Sequence, residues 1–252
     1  MQKVLIFVIF MLVSFFAESL QAQDSLYRKA NEAYQSEKYD SAIDLYQQIL
    51  DKGYESADVY FNLGNAYYKT HNLSQAILHY ERAKLLDPGD EDIKYNLELA
   101  RSLVVDKLET IPDFFLKSWY YKIVRILKPD DWAIISIFIF LTALVMFLVY
   151  FFTKKFLLKK VSFWLAALSL LLAIFTYTFS YQHKQLLTAH DQAIVTAPSL
   201  TAKSTPDENG TDLFVIHEGL KVTVEDEVGE WREIKLSDGN KGWVRAGSIE
   251  LI

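Results

Sequence analysis

The 252-residue sequence contains no cysteine. That excludes disulfides, cysteine-ligated metals and a lipid-modified N-terminal cysteine, while leaving an oxidising compartment open. Paired zinc spacings such as HExxH are also missing, since the five histidines, His71, His79, His183, His190 and His217, stand apart. His71 is expected in a turn between helices and His79 on a helix surface. There is no GxSxG elbow and no phosphate-cradling glycine loop, so no enzyme, cofactor or metal is expected. The acidic run in GDEDIKY, residues 89–95, reads as a helix start favoured by the helix dipole rather than as a calcium site.

Charge is scarce in three stretches, 1–17, 133–152 and 161–181, and these hold the apolar excess. Elsewhere it is segregated: residues 24–112 carry 10 Lys/Arg against 16 Asp/Glu, 193–252 carry 6 against 11, and 113–160 carry 8 against 3. Two acidic polar regions would repel a phosphate backbone, so no nucleic-acid partner is expected. The middle of the chain is where a membrane is expected.

A positive start, an apolar run over 4–17 and a polar stretch to Gln23 read as a secretory signal over 1–22, with cleavage after Ala22. Leu20 is large for its place before the cut, which keeps an uncleaved anchor open. Residues 132–152 and 161–181 are each long enough, at about 1.5 Å per residue, to cross a hydrocarbon core of roughly 30 Å. Trp132, Tyr150, Trp164, Tyr177 and Tyr181 lie near their ends, where amphipathic rings suit the headgroup level. Lys154, Lys155, Lys159 and Lys160 crowd the connector 153–160, and short positive loops stay cytoplasmic. Both polar regions are therefore expected in one compartment outside the cytoplasm, with the membrane crossed twice. Residues 113–128 place Leu116, Trp119, Tyr120, Ile123 and Leu127 at helical spacing with Lys122 and Arg125 elsewhere, as in an amphipathic helix at the membrane surface or packed as a linker.

Shifting 24–109 against itself by 34 residues aligns Tyr27 with Phe61 and Tyr95, Asn31 with Asn65, Tyr34 with Tyr68, Ala42 with Ala76 and Tyr46 with Tyr80. Tyr60, Leu63, Gly64, Tyr67, Ala76, Tyr80, Ala83 and Pro88 stand at the spacings of the tetratricopeptide repeat, which the region resembles. Two full repeats, 26–59 and 60–93, and a capping helix are expected, with Tyr46 and Tyr80 in the core. The resemblance implies a concave groove lined by the first helix of each unit, here Tyr27, Asn31, Tyr34, Phe61, Asn65, Tyr68, Lys69 and Tyr95. Aromatic anchors with adaptable amides suit an extended protein segment, although each tyrosine could instead pack between helices. Asn31 and Asn62 match the amides of the family's carboxylate clamp. Tyr27, Asp92 and Asn96 stand where its cations should be, which argues against a clamp.

Residues 193–252 alternate β-branched residues with turns at Glu218-Gly219, Val228-Gly229 and Asp238-Gly239. EGLKVTV, GEWREIKL, DGNKGWV and SIELI resemble a bacterial SH3-type barrel, with 197–210 as a long loop. Trp231 and Trp243 are its candidate ligand surface, or else part of its core. The fold class is thus multidomain: an all-α tetratricopeptide region, a two-helix transmembrane hairpin and a small all-β SH3-like barrel.

That order of elements, with the DPGDEDIKYNLELAR segment, resembles the BatE-type proteins of the bacterial Bat (aerotolerance) group. The resemblance implies a non-enzymatic scaffold working with membrane-anchored von Willebrand A-domain proteins, and indirectly a MoxR-type ATPase, in stress tolerance or envelope assembly. The other reading is a peptidoglycan-binding envelope sensor acting through the SH3-like region.

Overall fold

The computed structural model describes residues 25–108, 115–189 and 191–252. The signal expected over 1–22, and the start of the segment 113–128, lie outside the described residues. Helix α1 covers residues 25–35 and is followed by α2 (Tyr39–Asp51), α3 (Ala57–Lys69), α4 (Leu73–Leu86) and α5 (Glu91–Ser102). Side chains start three of these helices: Ser56 Oγ accepts from Val59 N, Asn72 Oδ1 from Gln75 N, and Asp90 Oδ1 from Asp92 N and Ile93 N. Each satisfies N–H groups that have no partner within the helix. The turn from α1 to α2 uses Glu37 at φ 58° and the turn from α3 to α4 uses His71 at φ 60°. The two are 34 residues apart, so the same left-handed turn closes both helix pairs.

Within a pair the helices approach closely. A Cβ on Gly64 would lie 2.7 Å from the Tyr80 ring, and Ala76 opposite is fully buried. In the first pair Ala30 occupies the position of Gly64 and is also fully buried.

The C-terminal residues form seven strands: β1 (Gln192–Val195), β2 (Ser199–Lys203), β3 (Asp212–His217), β4 (Lys221–Val228), β5 (Trp231–Lys235), β6 (Lys241–Arg245) and β7 (Ile249–Leu251). They pair antiparallel in the order β3-β2-β6-β5-β4-β1-β7. Ile216 near one edge and Ile249 at the other share one core with Val222, Ile234 and Val244, so the sheet curls over a single interior. The stretch 197–210 is not one long loop, because Ser199–Lys203 pairs with β3 along its length and touches β6 at Lys203–Trp243. Its alternation S-L-T-A-K buries Leu200 and Ala202 on the core side.

Repeat and sheet form one compact unit, although they are far apart in the chain. Their cores merge: Ile194 and Ile252 pack with Ala76, Ile77, Leu78, Leu97 and Val104. Burying side chains of this size stabilises the contact by roughly 1.5–3 kcal/mol each. Gly219, in the β3–β4 turn at φ +82°, lies so near that an added Cβ would meet Val104 Cγ2 at 3.0 Å and Ile77 Cδ1 at 3.1 Å.

The second unit holds α6 (Phe115–Val124), α7 (Pro129–Phe152) and α8 (Phe156–Thr188). Both long helices are candidate membrane spans, with mean hydropathy 2.8 and 1.9 over their most apolar windows and only 11% and 17% of those windows buried. A core helix of a water-soluble protein would be mostly covered, so these apolar surfaces call for a non-aqueous neighbour. Several of their hydroxyls are satisfied by backbone: Thr142, Thr176 and Thr178 donate to carbonyls four residues back, and Ser136 donates across to Ala173 O at 3.0 Å. Such pairing suits a non-polar surrounding, which offers no hydrogen bonds. Only Thr153–Lys155 interrupt the two helices; Lys159 and Lys160, expected in the connector 153–160, are helical residues of α8. Lysine and leucine are good helix formers and nothing in FLLKK breaks the helix.

Candidate functional site

A ladder of asparagine and tyrosine side chains, four in the first layer and three in the second, ties neighbouring helices of the repeat together. Tyr46 OH donates to Asn31 Oδ1 at 2.5 Å, while Asn62 Nδ2 donates to Tyr27 OH at 2.9 Å and reaches Asn31 Oδ1 at 3.4 Å. One repeat on, Tyr80 OH donates to Asn65 Oδ1 at 2.7 Å and Asn96 Nδ2 donates to the same oxygen at 2.8 Å. Residues 31, 46 and 62 become 65, 80 and 96 by adding 34 throughout. A buried phenol needs an acceptor, and burial, the largest influence on both, pushes Tyr46 and Tyr80 above the usual phenol range. Asn31 and Asn62, the two amides that match a carboxylate clamp, are thereby engaged with each other and with two tyrosines.

Beyond this ladder lies a cavity of about 220 Å³, lined by Tyr34, Asn65, Tyr68, Lys69, Tyr80, Asn96 and Leu99. It brings together four of the eight residues expected on the groove: Tyr34, Asn65, Tyr68 and Lys69. The other four lie outside it. Tyr27 packs 6.2 Å from the Tyr46 ring and Phe61 5.9 Å from the Tyr80 ring, Asn31 is held in the ladder, and Tyr95 is 67% exposed on α5. Leu99 was missed, and Asn96 was noted only as standing in the place of a clamp cation, not as a groove residue. The 34-residue step carries Asn62 to Asn96 and Asn65 to Leu99, so the repeat register contained them.

The lining offers three phenols, two amides, one apolar side chain and one ammonium, that of Lys69. Tyr34 is edge-on to Tyr39 at 5.3 Å, and burial together with Tyr39 raises its phenol above the ordinary value. Such a surface can hydrogen-bond a peptide backbone, cover an apolar side chain and hold a carboxylate.

The other side of α4 is occupied from within the chain. Glu81, its side chain 4% exposed, pairs with Arg101 on α5 and with Lys221 Nζ of β4 at 2.9 Å. Burial alone would raise its carboxyl, but Lys221 and Arg101 outweigh burial and hold it below the usual carboxylate value. Arg82 donates to Glu250 Oε1 at 3.2 Å and to Leu251 O at 2.6 Å, and Asp106 accepts from His217 N at 2.6 Å and faces its ring nitrogen at 3.0 Å. His79 is not on a helix surface. It is 2% exposed, stacked between Tyr67 at 5.3 Å and Tyr60 at 5.8 Å. Burial, aided by Arg82, pushes its pKa down to about 3, so the ring is neutral, and Nδ1 has no hydrogen-bond partner among the described residues.

On the sheet, Trp231 is 9% exposed beneath the Arg245 guanidinium, 4.7 Å from its ring centre. Arg245 is itself held by Glu208 and Glu230. Trp243, on β6, is half-buried and pairs in register with Glu233. Trp231 therefore presents little open ring face.

Residues 27–91 match the family model of the tetratricopeptide repeat. The helical region is thus a tetratricopeptide repeat array, a module of protein–protein interaction. No curated protein matches the chain.

Proposed function

We propose that this protein is a non-enzymatic, membrane-anchored scaffold that holds an extended segment of a protein partner against Tyr34, Tyr68 and Lys69. The cavity of about 220 Å³ over the asparagine ladder carries the reading, because the ladder fixes its floor while the phenols and the ammonium remain on its wall. A site whose polar floor is fixed in advance loses less freedom on binding than one that must be ordered.

α7 and α8 are taken as two crossings of a bacterial inner membrane, behind a cleaved signal. The shared core of repeat and sheet supports an even number of crossings, since the chain that leaves after Leu108 returns by Asp191 to the same folded unit. The lysines at the connector support a cytoplasmic turn, and hence a periplasmic scaffold. Resemblance alone supports the finer reading: a Bat-type complex for aerotolerance or envelope assembly, with von Willebrand A-domain partners, a MoxR-type ATPase and an SH3-like terminal region. Peptidoglycan binding by that region is the second reading. It has less support, because Trp231 is covered by Arg245.

A photo-crosslinking amino acid placed at Tyr68 in the native membrane tests the scaffold. Crosslinks to one defined partner segment are expected at position 68, absent at exposed Gln48 on α2 and lost in Lys69→Glu. Equal crosslinking at 68 and 48 overturns the reading.

A further inference from the structure

Residues 132–190 contain no aspartate or glutamate, and four of their five lysines, Lys154, Lys155, Lys159 and Lys160, gather where α7 gives way to α8. Among the described residues of this unit the acids are Asp130 and Asp131, in the first turn of α7. At about 1.5 Å per residue they are roughly 30 Å from the lysines along the helix. Lys159 Nζ lies 5.0 Å from the Tyr150 ring, and among the described residues none of the four meets a carboxylate.

Local structure adds to the positive charge. Lys155 stands at the N-cap of α8 without a side-chain cap, and the free amides of a helix start carry the positive end of the dipole. Lysine is the wrong sign for that position unless an anion is supplied from outside. Around the charges Phe152 is 82% exposed, Phe156 81% and Leu157 75%. A dissolved anion would answer the charge and leave these three side chains in water. An anionic lipid answers both, with phosphate at the ammonium groups and acyl chains beside the rings.

We propose that this end of the hairpin is a docking surface for anionic phospholipid headgroups. The proposal rests on α7 and α8 being membrane spans. Each lysine close to an anionic layer favours it by roughly five-fold, so the cluster as a whole selects anionic over zwitterionic lipid.

The full chain is reconstituted in phosphatidylcholine vesicles containing roughly one-fifth phosphatidylglycerol, and native mass spectrometry counts the lipids retained on release. The ratio of phosphatidylglycerol to phosphatidylcholine among the retained lipids is expected to exceed that of the vesicle by about ten-fold or more. The preference should disappear when the four lysines become glutamine, survive when they become arginine, and resist an excess of inorganic phosphate. Retention in proportion to supply, an unchanged glutamine variant, or displacement by phosphate overturns the proposal. Flotation with pure phosphatidylcholine vesicles separates the two levels. A chain that does not float refutes the membrane spans and the docking surface together, whereas one that floats without lipid preference refutes the docking surface alone.

Discussion

Helices α2 and α4 hold the same place in successive repeats, yet α2 buries only Ala42, Tyr46 and Ile49, whereas α4 buries Ser74, Ala76, Ile77, Leu78, His79, Tyr80, Glu81 and Ala83. The difference comes from the sheet, which covers the side of α4 that α2 leaves to solvent. Where α2 has Leu45 and exposed Gln47, α4 has His79 and Glu81. Covering a helix after its repeat pattern is set traps polar groups, and each must be made neutral or paired. The imidazole follows the first course and the carboxylate the second.

Removing both cations from Glu81 has the largest expected effect. Arg101→Met with Lys221→Met leaves a buried, unpaired carboxylate and should cost about 3 kcal/mol, the low end of the range because Arg101 keeps contact with water. Adding Glu81→Leu should restore most of the loss, while Gln47→Glu on α2 should change stability by less than about 0.5 kcal/mol. Chemical unfolding of the detergent-solubilised chain reads all three.

His79 should make the repeat acid-sensitive. The unfolded chain binds a proton near pH 6.5, whereas the folded chain does so only near 3. Stability is therefore complete above 6.5 and falls by about 1.4 kcal/mol per pH unit below it, until the folded pKa is reached. His79→Leu, which copies Leu45 of the first repeat, should remove this slope over pH 4.5–6.5. A slope that persists unchanged in the variant would show that other groups carry it. Glu81 acts in the same direction at lower pH, since its contribution is lost only as pH falls through its lowered carboxyl value.

Gly64→Ala should cost about 1–2 kcal/mol, since the added methyl meets the Tyr80 ring. The first repeat already houses Ala30 at that position, so Ala30→Gly should cost no more than about 1 kcal/mol. A small gain, rather than a loss, is expected at the turns. His71→Gly and Glu37→Gly each relieve a left-handed non-glycine residue and should gain up to about 1 kcal/mol, equally in both repeats. Melting of the single variants checks both pairs.

The helical repeat was legible because its information is local and periodic: a 34-residue step puts tyrosines, small residues and caps in register. The same step contained Asn96 and Leu99, although they are recognisable only once the ladder shows what Asn62 and Asn65 do. The cover on α4 was not legible. Glu81 and Lys221 are 140 residues apart, and no local pattern links them. AILHYE carries apolar residues on more than one face, but His79 was expected on the helix surface and the second covering went unread. β2 was hidden in a stretch of prolines and small polar residues, where its two-residue period spans only five positions.

The joining of sheet to repeat sets an order of events in biosynthesis. Leu86 is made 105 residues before Asp191 and 166 before Ile252. At about 5–20 residues per second, α4 waits roughly 8–33 s for its last covering residue. During that time Ile77 lacks its cover and Glu81 lacks Lys221 while both long apolar helices are synthesised. Completion of the repeat thus acts as a timer that stops only when the chain beyond the hairpin has been made and has found its way back.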